Sequence, residues 1–145
     1  MNKINVTDAR KDMSSFFDSV IHEKPIILKR RKYEAVLAER SLLQMMLEYA
    51  KINVSQVETK EKWIYRAVEL DVIAEGETKV EAEGKLCDAL LNYANEVYDN
   101  FMFYYYGQNI KSKLPYIFNI LLCESAEDVK NIIIYNKTKK KTSKK

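Results

Sequence analysis

Apolar residues recur along this chain in two rhythms, and the alternation between them lays out its elements. Lys3 to Val6 alternates weakly and predicts a short strand ending at Thr7. The Thr7 hydroxyl is placed to N-cap a helix, with Asp8 behind it where negative charge suits the helix dipole. Ala9, Met13, Phe16, Phe17, Val20 and Ile21 follow at spacings of three and four, which is one apolar helical face. Pro25 closes that helix. Ile26, Ile27 and Leu28 read as a buried strand, and Glu34 to Ala38 as its antiparallel partner, because only a few residues separate them. Ser41 is then set to cap a helix through Leu42, Leu43, Met45, Met46 and Leu47.

The rhythm breaks at residues 51–61, where Asn53, Ser55, Gln56 and Thr59 leave only isolated apolar positions, and a linker or a further turn or two of the preceding helix is expected. Trp63 to Ala74 is extended, as one long strand or a tight pair, with Gly76 as the break. Thr78 and Glu81 have capping-box spacing. Behind them Leu86, Ala89, Leu90, Tyr93, Val97 and Phe101 predict a helix of about seven turns. Gly84 inside it is either a mild cost or a point of close backbone approach. The run after Pro115 fits a proline-opened helix or a buried strand equally well. Ser125 caps a last helix with Asp128 in capping-box position and Val129, Ile132 and Ile133 inward. Together these elements predict an α+β chain with a first domain at residues 1–50, a linker at 51–61, a strand-plus-helices module at 62–136 and a basic disordered tail at 137–145.

Composition sharpens this. A chain of 145 residues, nearly half hydrophobic, suits one ordinary domain or two small ones. Three glycines and two prolines argue against a turn-rich sandwich. No apolar run is long enough for a membrane span, and the N-terminus lacks a signal-peptide core. Cys87 and Cys123 are too few for a disulfide framework and read as buried thiols in a reducing, cytoplasmic setting. Richness in Lys, Asn and Ile suggests a prokaryotic source. Charge is segregated: Lys/Arg against Asp/Glu runs nine to seven over residues 1–50, six to eleven over 51–110 and nine to three over 111–145. A basic start, an acidic middle and a basic end suggest separate surfaces for separate partners.

Three clusters carry candidate chemistry. Lys29, Arg30, Arg31 and Lys32 sit where the two early strands turn, and such a turn could contact phosphates, read bases or simply be solvated. Arg10, with Lys3, Thr7 and Lys11 near it, stands in what reads as the first turn of a helix, where positive charge is unfavourable and invites a functional reason. Tyr98 and the run Phe101, Met102, Phe103, Tyr104, Tyr105 and Tyr106 offer an aromatic partner surface, or a helix end packed on its own strands. Catalytic signals are thin. His22 is the one histidine, cysteine spacing fits no zinc site, and no glycine-rich phosphate loop is present. Glu69, Asp71, Glu77, Glu81 and Glu83 could serve a metal-dependent nuclease but read better as exposed faces. Neither an enzyme, a metal site nor a cofactor is expected.

Ile4-Asn5-Val6, Ala9-Arg10, Phe16-Phe17-Val20, Ile26-Ile27-Leu28, Arg30-Arg31 and Ala35-Val36-Leu37 occur in an order that resembles the Phd/YefM family of antitoxins. The resemblance covers residues 1 to about 50. It implies a sheet-and-helix platform that dimerises and binds palindromic operator DNA, with higher oligomers possible there and a cognate toxin held elsewhere in the chain. On that resemblance Arg10 contacts a groove or phosphate, and Arg30 and Arg31 grip the backbone. The family usually has glycine after the paired arginines, where this chain has Lys32. Gly76-Glu77-Thr78 followed by Glu81-Ala82 and the leucine stripe resembles the strand-to-helix junction of HicB-like antitoxin domains. An adaptor with a Phd-like dimerisation scaffold and no DNA role is the alternative.

Overall fold

The structure, a computed structural model, describes residues 1–107 and 109–136. The expected basic tail at 137–145 lies outside the described residues. The chain is α+β and divides into two compact units, Met1–Met46 and Leu47 onward.

In the first unit, β1 (Lys3–Asn5) pairs parallel with β2 (Ile26–Arg30), which pairs antiparallel with β3 (Tyr33–Leu37). The helix expected from Thr7 to Ile21 is two helices. The short α1 (Val6–Ala9) begins one residue before Thr7, so Thr7 is no cap. At Asp12 the chain starts again: its carboxylate accepts from the Ser15 amide at 3.0 Å and opens α2 (Met13–His22). A capping side chain satisfies an amide that continuing the first helix would have paired with backbone, so the break is locally stable. Ala9, Phe16, Val20 and Ile26 form a small core with Ile4, Leu28 and Leu37 packed against it. α3 (Arg40–Met46) starts a residue before Ser41 and buries none of its side chains.

The second unit holds a four-stranded sheet and most of the apolar core. β4 (Ile52–Glu58) occupies the stretch read as a linker, which corrects that expectation. Its alternation puts Ile52 and Val54 fully inside, while Asn53 and Ser55 are the outward positions that make the segment look polar. Trp63 to Gly76 is a tight pair, β5 (Trp63–Ala67) and β6 (Val72–Gly76), antiparallel to one another. α4 (Lys79–Asp99) packs across these strands, burying Ala82, Leu86, Cys87, Leu90, Ala94 and Val97. Its N-terminus is capped as expected: the Thr78 hydroxyl accepts from the Glu81 amide at 3.2 Å, and the Glu81 carboxylate accepts from the Glu77 amide at 2.9 Å. The helix does not run on to Phe101; the backbone leaves helical geometry at Asn100, and α5 (Phe101–Tyr105) is separate. A 3-10 turn (Lys111–Lys113) leads into α6 (Leu114–Leu121), so the proline opens a helix. α7 (Ala126–Lys130) is capped by Ser125, but it stops short of Ile132 and Ile133. Ile132 leads into β7 (Ile133–Tyr135), which adds parallel to β4 and completes the order β6-β5-β4-β7.

A β-carbon added at Gly84 would meet nothing within 4 Å, so no close approach explains this glycine. Gly84→Ala should therefore raise stability by about 0.5–1 kcal/mol through helix propensity, read as a higher midpoint in urea.

Candidate nucleic-acid and partner surfaces

The basic turn is built by strand register. Arg30 pairs with Tyr33, which leaves Arg31 and Lys32 as a two-residue hairpin loop. Arg31 takes the left-handed backbone, φ 55°, and Lys32 does not, so the missing glycine at Lys32 costs nothing and the strain falls on Arg31. Lys32 lies over the Tyr33 ring, 5.4 Å from its centroid. Alternation separates the remaining cations. Lys3 and Lys29 share the sheet face carrying Ile27, Glu34 and Val36, and Arg30 falls on the other. On that outer face Lys3 pairs with Glu34 at 2.9 Å, and this hydrogen bond, helped by the charge of Lys29, holds the Glu34 carboxyl below its ordinary range. Asn5 pairs with Lys29, so α1 departs from the same end of the sheet at which the hairpin turns. Arg10 caps the C-terminus of α1 and is not in a first helical turn. The dipole argument for a functional Arg10 falls with that placement, because positive charge is favourable at a helix C-terminus. Lys11 pairs with Asp8 at 2.9 Å.

The apolar stripe of the first unit is only half used. Phe16 and Val20 are buried, while Met13, Phe17 and Ile21 remain exposed, as do Val36, Met45 and Met46. Phe17, Ile21 and Leu37 line part of a cavity of about 380 Å³ on this unit.

The aromatic run divides in the same way. Phe101 stacks on Tyr105 and meets Phe118 edge-on at 6.1 Å, and the Tyr104 hydroxyl donates to Glu96 at 2.6 Å, which raises the phenol's pKa. Both belong to the packing of the second unit. Tyr98, Phe103 and Tyr106 face solvent, together with Met102.

With these surfaces described, the comparisons with known proteins bear on what they serve. Residues 1–135 match the PHD_like family, described as "Antitoxin of toxin-antitoxin, RelE / RelB, TA system". This chain belongs to that antitoxin family. A crystal structure from Syntrophomonas wolfei subsp. wolfei, described as the antitoxin part of a proposed toxin/antitoxin system, superposes with a TM-score of 0.86 at 29% identity. The match covers 94% of this chain and 99% of that one. No curated protein matches the sequence.

In this antitoxin four of the five carboxylates considered for a nuclease have separate structural tasks, and Glu77 contributes only its backbone amide to the α4 cap. Glu69 accepts from the Asn53 amide at 2.9 Å, Asp71 pairs with Arg66 at 2.6 Å, and Glu81 caps α4. Glu83 takes the Tyr135 hydroxyl and, at 3.7 Å, Lys130. No group of three metal-ligating side chains gathers among the described residues. Burial pushes the Cys87 thiol up to about 11, which keeps it protonated and unreactive near neutral pH, while Cys123 is only half-buried. No helix among the described residues is long and apolar enough to cross a membrane. The polar group that sequence reasoning missed is Asn119. It is buried, and its side-chain amide donates to the Ala50 carbonyl at 2.9 Å. An asparagine inside an otherwise apolar run was the available signal.

Proposed function

We propose that this antitoxin acts by binding on two surfaces, in the Phd/YefM manner. The first unit pairs with a second copy, grips palindromic operator DNA and represses its own operon. The unit from Leu47 onward holds and neutralises a cognate toxin, without catalysis. The observation that carries the DNA half is the basic hairpin: Lys29 and Arg30 end β2, and Arg31 and Lys32 form the loop to β3, at the sheet end from which α1 departs. A hairpin holds its cations without ordering a long loop, so phosphate contacts form at low entropic cost. The exposed apolar residues of α2 and β3 support a homodimer, because a second copy would remove them from water. A two-fold dimer presents the hairpin twice, which suits a palindrome.

Band-shift titration against the antitoxin's own promoter tests this reading. Arg30→Ala with Arg31→Ala should weaken binding about tenfold or more and reduce the salt slope by about 2 per protomer. Unchanged affinity would move the contact elsewhere. A wild-type protein that dimerises but ignores promoter DNA would instead favour the adaptor reading.

A further inference from the structure

We infer that the solvent side of α4, together with the aromatic cluster at its C-terminal end, is where the toxin docks. The segment of the toxin that docks is basic and carries an apolar anchor. This rests on the reading that the antitoxin neutralises its toxin by binding.

Asp88, Asn92, Asn95 and Asp99 are all exposed and spaced four, three and four apart, so they form one stripe on the helix opposite its buried side. The stripe is about 16 Å long at 1.5 Å per residue. The other acids on this helix have partners of their own, Glu81 with Lys85 at 2.6 Å, Glu83 with Lys130 and Glu96 with the Tyr104 hydroxyl. Asp88 and Asp99 form no ion pair among the described residues. Tyr98 on the last turn of α4 and Met102, Phe103 and Tyr106 in and just after α5 follow the stripe in the chain, and they are 62%, 60%, 78% and 78% exposed. That much uncovered aromatic and thioether surface within nine residues of chain is typical of an interface core. Phe103 and Tyr106 also flank a cavity of about 440 Å³ walled by Tyr93, Tyr104 and Ile110. Its wall is set before binding, since Tyr104 is tied to Glu96, so an anchor would enter with little ordering cost.

Charge chooses the occupant. Carboxylates along the approach repel phosphates, which disfavours nucleic acid and anionic lipid. A second copy meeting this surface about a two-fold axis would set the acidic stripe against itself. Lys111 is engaged over the Tyr105 ring at 5.2 Å, and Lys113 stands at the cavity rim, so the acidic character belongs to the α4 side alone. The partner's basic residues therefore lie along α4 while its apolar anchor enters the cluster.

The probe is the purified product of the reading frame adjoining the antitoxin gene, titrated calorimetrically against full-length antitoxin. Asp88→Lys with Asp99→Lys should weaken binding about tenfold and flatten its salt dependence. Phe103→Ala with Tyr106→Ala should weaken it about thirtyfold or more. All four positions are exposed, so melting temperature and promoter binding should stay at wild-type values. If the wild type binds the product and both variants bind it equally well, the docking surface is wrong while the antitoxin reading stands. If the wild type does not bind it, that reading falls and the inference with it. Loss of dimerisation or promoter affinity in either variant would make this a homotypic or DNA surface and overturn the proposal.

Discussion

Gly76→Ala is expected to destabilise the second unit by about 3 kcal/mol or more, a large effect for one methyl group. A β-carbon at this position would lie 2.4 Å from the Ala82 nitrogen and 2.9 Å from both the Ala82 Cα and the Glu81 carbonyl carbon. These are backbone atoms in the first turn of α4, so no side chain can swing aside. Ala82 itself is fully buried and belongs to the core that α4 makes with the sheet. Relieving the clash would separate the end of β6 from the helix and disturb the Thr78 cap. Urea denaturation followed by circular dichroism should show a clear fall in midpoint. Gly84→Ala, with open space around it, is the matched control in which the same change should stabilise. An unchanged midpoint for Gly76→Ala would mean that strand and helix can part at no cost.

Asn119→Ala should cost about 2–3 kcal/mol, through an orphaned carbonyl and a small cavity. The Asn119 amide is the partner of the Ala50 carbonyl, and Ala50 is fully buried, so water cannot replace the lost bond. Ile117 and Ile120 beside it on α6 are buried too, so the pair has apolar neighbours. Asn119→Asp should be at least as damaging, because it removes the donor and sets carboxylate oxygens against the carbonyl. Thermal melts of the two variants check both. A melt equal to wild type would show that another donor reaches Ala50.

The hairpin was legible because its signals are local and agree. β-branched and apolar runs flank four cations, and only a two-residue loop fits the register that pairs Ile26 with Leu37. The helix before it is not legible in the same way, because two caps compete within six residues. Thr7 and Asp8 look like a start, yet Asp12 with Ser15 makes the cap that forms. That local choice moves Arg10 from a helix start to a helix end and removes the reason it first stood out. In the aromatic run, periodicity could not say which rings face the core, since the break at Asn100 resets the helical phase.

By itself the sequence determined the α+β class, the basic hairpin, the capped amphipathic α4 and the segregation of charge. Each follows from propensity, capping or spacing within a few residues, and such terms act before the chain is compact. Only the tertiary structure decided that the polar stretch at residues 52–58 is a strand inside a sheet. The same holds for β7, three residues long, which exists by pairing with β4. It also decided that Asn119 serves Ala50, 69 residues away. These are pairings between distant segments, and their free energy comes from partners that no local window contains.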